Sequence, residues 1–180
     1  MIRLFVALDL PGSVRDRLAS LCNGIPEVRW IDPQNMHLTL RFVGEVDEPI
    51  LPEIDAALSA IRYPGFRLAL SGVDIFGDRR RARNLWAGVL PSEDLTALQS
   101  KVESTLSRVG LVAESRKFHP HITLSRLKGM KVDRLVGYPE ANAAFMTEEF
   151  SIGAFVLYSS RLSRNGATYT PKATYPLDSA

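Results

Sequence analysis

Hydrophobic positions along the chain fall into two recurring kinds of stretch. Some are short, continuous or alternating apolar runs; others space their apolar residues three or four apart. Leu4-Phe5-Val6-Ala7-Leu8-Asp9-Leu10 is of the first kind and stops at Pro11-Gly12, which predicts a strand followed by a turn. Over residues 13–22, Val14, Leu18 and Leu21 recur at helical spacing. Residues 85–90 form a second strand-like run that stops at Pro91-Ser92. Ser92 before Glu93 and Asp94 is a helix start, Leu95, Leu98, Val102 and Leu106 keep helical register, and Gly110 is a natural stop. Residues 49–61 read as a helix followed by a strand at 66–70, and residues 132–144 as a helix followed by a strand at 150–156.

The order strand, helix, strand, helix, strand is thus written twice. Pro11 and Pro91 lie 80 positions apart, while His37 and His121, like Phe66 and Phe150, lie 84 apart. This spacing predicts one domain built from an internal repeat, approximately residues 1–80 and 81–180. Two similar lobes packed about a pseudo-twofold axis would bring equivalent strands face to face across a cleft.

At the corresponding strand of each half stands the same four-residue pattern, His37-Leu38-Thr39-Leu40 and His121-Ile122-Thr123-Leu124. Alternate side chains of a strand leave opposite faces, so each string presents its histidine and threonine on one surface and packs its apolar residues behind. An imidazole titrates near ~6.5, so around neutral pH one histidine can accept a proton while another donates one. Such a pair suits in-line phosphoester cleavage, one histidine activating the attacking oxygen and the other protonating the departing one. Thr39 and Thr123 would supply hydroxyl donors to the non-bridging phosphate oxygens. Two histidines on separate strands are too few ligands for a zinc, and there is no H-x-x-x-H or C-x-x-C spacing, so no metal or other cofactor is expected. A Gly-x-Ser-x-Gly elbow is also missing. The third histidine, His119, lacks a threonine partner and precedes Pro120, which marks it as a neighbour or a surface residue.

Composition changes this picture little. The chain has 180 residues, 46% hydrophobic and 23% charged, with a formal charge of +2, so no global field favours nucleic acid. Any basic footprint is local, and the densest is Arg79, Arg80, Arg81 and Arg83, in a stretch that reads as a hairpin loop. These four offer a place for RNA phosphates outside the scissile one. A lone cysteine, Cys22, sits in an apolar helical pattern and suits a reducing, cytoplasmic setting. The amino-terminal apolar run is too short for a signal peptide, and no stretch approaches transmembrane length.

Taken with their flanks, both strings resemble the H-x-T-x signature of the 2H phosphoesterase superfamily. The wider text is similar to its RNA 2′,3′-cyclic phosphodiesterase branch, the LigT-like or 2′-5′ RNA ligase family. The likeness covers nearly the whole chain. It runs through Arg3-Leu4-Phe5-Val6-Ala7, then Trp30, then Asn35-Met36-His37-Leu38-Thr39-Leu40-Arg41-Phe42-Val43-Gly44. In the second half it runs through Phe118-His119-Pro120-His121-Ile122-Thr123-Leu124-Ser125-Arg126 and Leu157-Tyr158-Ser159-Ser160, ahead of Gly166 and Tyr169.

The resemblance implies a bilobal, duplicated α+β fold in which two antiparallel sheets flank a central cleft with helices outside. One lobe would hold both chain ends and the other the middle. It implies opening of a ribose 2′,3′-cyclic phosphate to a 2′-phosphomonoester without a metal, with His37 as proton donor and His121 as proton acceptor. It also implies 2′-5′ joining of tRNA halves as a secondary activity. Expected partners are RNA with 2′,3′-cyclic phosphate ends, tRNA fragments among them, or cyclic nucleotides; a monomer with no membrane association is expected. A related 2H activity on another cyclic phosphate or a 2′-5′ oligonucleotide is the enzymatic alternative, and a non-catalytic RNA-binding module the other.

Around the four motif residues the expectations are finer. Arg126 follows the second motif as the family's phosphate-binding arginine does, although strict alternation puts it opposite His121 unless a bulge redirects it. Arg41 shares strand parity with His37 and Thr39, with an exposed strand arginine as the alternative reading. Phe42, Trp86 and Tyr169 are candidates for stacking on a base, with core packing the stronger expectation for Phe42 and Trp86.

Overall fold

The computed structural model describes residues 1–179. Its architecture is α+β, with antiparallel sheets and short helices. The opening apolar run forms β1 (Ile2–Leu8), a central strand buried on both faces from Leu4 onward, with the rings of Phe42, Tyr158 and Tyr169 packed around Phe5. That sheet also contains β2 (Leu38–Val46), β8 (Ala154–Ser163) and β9 (Gly166–Pro176), in the order β2-β1-β8-β9. A second sheet has the order β4 (Leu70–Gly77), β5 (Arg81–Val89), β6 (His121–Lys131). Between them, β3 (Phe66–Leu68) and β7 (Phe150–Ile152) form a two-stranded antiparallel pair. The first sheet holds both chain ends and the second the middle of the chain, as the resemblance implied.

Three strands of the first sheet correspond to the three of the second, and β9 has no counterpart. In each, a motif strand (β2 or β6) flanks a central strand (β1 or β5) whose other neighbour is β8 or β4. That third strand comes from the opposite half of the chain in both cases, so the halves exchange a strand. Neither sheet is complete without the other half. An isolated bridge from Trp30 to Ser125 and an N–H···O bond from Ile31 to Leu124 add a further link, laying the loop before β2 along β6.

The helices follow the apolar spacing with local corrections. Helix α3 (Glu93–Arg108) starts at Ser92, whose hydroxyl accepts the Leu95 N–H at 3.1 Å, and buries Leu95, Leu98, Val102 and Leu106. Helix α1 (Gly12–Ala19) is shorter than the expected 13–22, and α2 (Leu51–Ser59) is preceded by a 3₁₀ turn at Glu48–Ile50. The expected helix at 132–144 is instead a 3₁₀ turn, Val132–Leu135, and a one-turn α4 (Tyr138–Ala141). Gly137 at φ 86° and Pro139 at the start of the next turn break the continuity. Two strands read as continuous, 66–70 and 150–156, each divide in two, at Ala69 and Gly153. The turn of the β4–β5 hairpin is confined to residues 78–80, so Arg81 and Arg83 belong to β5 rather than to a loop.

Candidate active site

Each histidine is held by the backbone two residues before it. Nδ1 of His37, immediately before β2, donates to the Asn35 carbonyl at 2.8 Å, and Nδ1 of His121 donates to the His119 carbonyl at 2.6 Å. A carbonyl can only accept, so the proton of each neutral imidazole sits on Nδ1 and the lone pair is on Nε2. The two motifs share one orientation and one tautomer. Leu38, Leu40, Ile122 and Leu124 are buried behind them, while His37, Thr39, His121 and Thr123 are half-exposed on the other face, as the alternation predicts.

One step further along each strand, the alternation breaks. The register of β1 with β2 skips Leu40, and that of β5 with β6 skips Leu124. Each skip is a β-bulge, which reverses the parity of the residues beyond it. Arg126 therefore returns to the face of His121 and Thr123, where it is exposed. The corresponding bulge in β2 removes Arg41 from the site. Arg41 is only 7% exposed, and its Nε stands 2.5 Å from Glu103 Oε2 on α3 while its guanidinium donates to the carbonyls of Phe42 and Val112. Phe42, the positional equivalent of Arg126, is turned to the His37 face and is 49% exposed, so core packing does not hold for it. For Trp86 it does: the ring is 8% exposed and stacks on Phe76 at 4.7 Å between centroids.

The surroundings of the two imidazoles differ. His37 lies 4.7 Å from the Phe5 ring, 5.1 Å edge-on from Tyr169 and 6.3 Å from Tyr158. His121 lies 4.8 Å edge-on from Phe76 and 5.9 Å from Trp86, with the exposed His119 ring 6.3 Å away. Burial lowers the pKa of both from the ordinary imidazole value, and the Nδ1 bond opposes this in each. For His37 the charges of Arg126 and Arg15 lower it further and Asp9 raises it; for His121 the His119 charge lowers it further. Arg126 of the second sheet lines one groove together with Tyr169 and Asn35, the residue whose carbonyl holds His37, so the surroundings of both motifs meet in one cleft.

Arg15, which the sequence pattern did not single out, holds the loop that orients His37. Its guanidinium reaches Pro33 O at 3.1 Å and Asp9 at 2.5 Å, and also bonds the Leu10 carbonyl. A surface arginine on an amphipathic helix gives no sequence signal of such a role. Phe5, Phe76 and Tyr158 were equally hidden, since an apolar ring in a strand reads as core. Opposite His121, Gly88 leaves no room for a side chain: a Cβ there would meet the Ser71 carbonyl oxygen at 2.5 Å. The predicted arginine cluster stands at the hairpin tip. Asp78 accepts the backbone N–H groups of Arg80 and Arg81, Arg81 donates to the Gly129 carbonyl at 3.0 Å, and all four arginines are exposed. Among the described residues, no three His, Cys, Asp or Glu side chains converge as a metal-binding group, and no helix is long and apolar enough to cross a membrane.

Two H-x-T-x strands with bulges, matching tautomers and one shared cleft define a two-histidine phosphoesterase architecture. The family of LigT-like phosphoesterases matches residues 8–86 and 89–169, and the chain belongs to that family. It is 34% identical over 169 residues to a protein of Aeropyrum pernix named RNA 2′,3′-cyclic phosphodiesterase, covering 93% of each chain. A protein of Escherichia coli with the same name is 34% identical over 179 residues, 97% of this chain and 96% of the other. The crystal structure of E. coli LigT complexed with 3′-AMP superposes with a TM-score of 0.81 at 31% identity, covering 98% of both chains.

Proposed function

We propose that this protein hydrolyses the 2′,3′-cyclic phosphate ends of RNA to 2′-phosphomonoesters by metal-independent acid–base catalysis. The observation that carries this reading is the matched pair of Nδ1–carbonyl bonds, which leaves each Nε2 lone pair free to handle a proton. His121 takes the proton of the attacking water as its oxygen bonds to phosphorus. The P–O3′ bond breaks, and His37 donates the proton that the departing 3′ oxygen needs. Which histidine plays which part rests on the family resemblance. Burial holds both imidazoles below the ordinary value, so His37 gains its proton when the anionic phosphate sits beside it and stabilises the imidazolium.

Thr39 and Thr123 hold the non-bridging oxygens, and Arg126 adds a charged donor to them. Phe42 and Tyr169 offer stacking faces for the terminal base, and Arg79, Arg80, Arg81 and Arg83 bind phosphates outside the cleft. The names of the two relatives and the nucleotide in the E. coli structure support the substrate class. Substrates in this reading are RNA ends, tRNA fragments among them, with cyclic nucleotides as the minimal form; 2′-5′ joining is the same chemistry reversed. The protein acts as a cytoplasmic monomer, one bilobal unit whose duplicated halves are approximately residues 1–80 and 81–180. The correspondence of three strands in each sheet and the two matched stretches support that duplication.

The test is incubation of chelator-treated protein with each 2′,3′-cyclic mononucleotide. Formation of the 2′-phosphomonoester at undiminished rate is the expected result. A 3′-phosphate product, or activity restored only by a divalent metal, would overturn the proposal.

A further inference from the structure

A groove of about 720 Å³ opens from the cleft between the two sheets, within the 300–1,000 Å³ range of ligand sites. It reaches the surroundings of His37. Tyr169, whose edge meets His37, lines it together with Asn35, whose carbonyl holds His37, and Arg126. Trp30, Arg29, Lys128 and Arg164 line the same groove. None of these three cations, nor Arg126, has a carboxylate within 4 Å among the described residues. The two acids in the lining are already engaged: Glu27 pairs with Arg134 at 2.5 Å, and Asp32 accepts the Gln34 N–H at 2.9 Å.

Both lobes build the groove. Arg29 donates to the Asn165 carbonyl at 2.6 Å, fastening the loop before β2 to the turn of the β8–β9 hairpin that carries Arg164. On the other wall, a second bulge in β6 places Lys128 at φ 48° beside Gly129 at φ 77°, a left-handed conformation that a lysine rarely adopts. That bulge lifts Lys128 onto the rim.

Resting on the phosphodiesterase reading above, we propose that this groove carries the RNA strand immediately 5′ of the cyclic phosphate. When the cyclic phosphate sits between His37 and His121, the rest of the polynucleotide leaves through the 5′ oxygen of the terminal ribose. Cations without carboxylate partners, lining a groove that also contains Asn35, Tyr169 and Arg126 beside the reacting centre and the ring of Trp30, are the groups that track a single-stranded backbone. The groove therefore distinguishes an RNA end from a free cyclic nucleotide, which fills only the cleft.

The experiment uses the full chain with Arg29, Lys128 and Arg164 all changed to Gln. Dissociation constants are measured across a salt series for a short single-stranded RNA ending in 3′-phosphate, which needs no turnover. Turnover is measured separately on a 2′,3′-cyclic mononucleotide. Expected are RNA binding weakened at least about tenfold and a log–log salt slope shallower by about 2, at ~0.7 for each phosphate no longer neutralised. Mononucleotide kcat/KM should stay within about twofold of the parent protein. Unchanged RNA affinity and salt slope would overturn the groove assignment, as would equal loss on the mononucleotide. So would an Arg79→Gln/Arg80→Gln variant that weakens RNA binding while the groove variant does not. A parent protein that binds the RNA through the groove but opens no cyclic phosphate would overturn the phosphodiesterase reading alone.

Discussion

Around His37 the first sheet presents rings, Phe5, Phe42, Tyr158 and Tyr169, whereas around His121 the second sheet presents Arg126, the exposed His119 and the packed pair Phe76 and Trp86. The backbone beneath is the same in both: a histidine tied to the carbonyl two residues back, a threonine, and a bulge at the next apolar residue. Five residues after each histidine, that bulge delivers one side chain to the cleft, a phenylalanine in one lobe and an arginine in the other. Four residues after, it delivers one to the interior: Arg41 against Glu103, and Ser125, which donates to the Arg29 carbonyl at 2.7 Å. The same backbone plan thus presents different side chains in the two sheets. In the proposed mechanism protonic groups are common to both sheets, while charge comes from Arg126 in one and stacking from Phe42 in the other.

The largest effects should fall where the sheets agree. His37→Ala and His121→Ala should each lower kcat on a 2′,3′-cyclic mononucleotide by ~10²–10⁴ while leaving the thermal unfolding midpoint nearly unchanged. Full activity in either variant removes that residue from the mechanism.

Where the sheets differ, the losses should differ in kind. Arg126→Ala should lower kcat by about 10²-fold through weaker stabilisation of the phosphoryl oxygens. Phe42→Ala should instead raise KM about tenfold with little change in kcat, because stacking acts on ground and transition states alike. If both variants lose the same parameter to the same degree, the division between charge and stacking fails.

The inward-facing pair gives a smaller contrast, in stability rather than activity. Removing Arg41 strands Glu103, which remains partly open to water, so Arg41→Ala should cost about 3 kcal/mol of unfolding free energy. Ser125→Ala removes one neutral hydrogen bond and should cost about 1 kcal/mol. Denaturant unfolding of the two variants checks the order.

The smallest and most local effect is on titration. A positive neighbour disfavours a second positive charge, so removing it raises a histidine's pKa. Arg126→Gln should move the His37 imidazole resonance to a higher midpoint and leave His121 in place, whereas His119→Gln should do the reverse. NMR titration of the ring protons reads both, and a shift of both histidines in either variant would show that the two environments are not independent.

Much of this arrangement was legible in the chain. The alternation around His37 and His121 located both motif faces, and the spacing of Leu95, Leu98, Val102 and Leu106 marked the buried stripe of α3. What escaped was set by backbone irregularity. Parity counting placed Arg41 in the site and Arg126 outside it, and one bulged residue in each strand reversed both. Nothing in Leu40 or Leu124 distinguishes a bulge from an ordinary strand position, since both remain buried either way. The exchanged strands β4 and β8 were hidden for another reason: apolar runs show that a strand is buried but not which neighbour it pairs with. Arg15 and the rings around His37 became functional candidates only through partners far away in sequence.

The central claim is that His37 gives a proton and His121 takes one, and the pH dependence of kcat/KM tests it most directly. The acceptor must be unprotonated, so it sets the rise at low pH; the donor must be protonated, so it sets the fall at high pH. Because burial lowers both histidines, the parent protein should show a bell centred below about 6.5 with a 2′,3′-cyclic mononucleotide. Residual activity of His37→Ala should lose the high-pH fall and keep the low-pH rise, and that of His121→Ala should lose the rise and keep the fall. Both variants retaining both limbs, or the two limbs exchanged between them, would contradict the assignment.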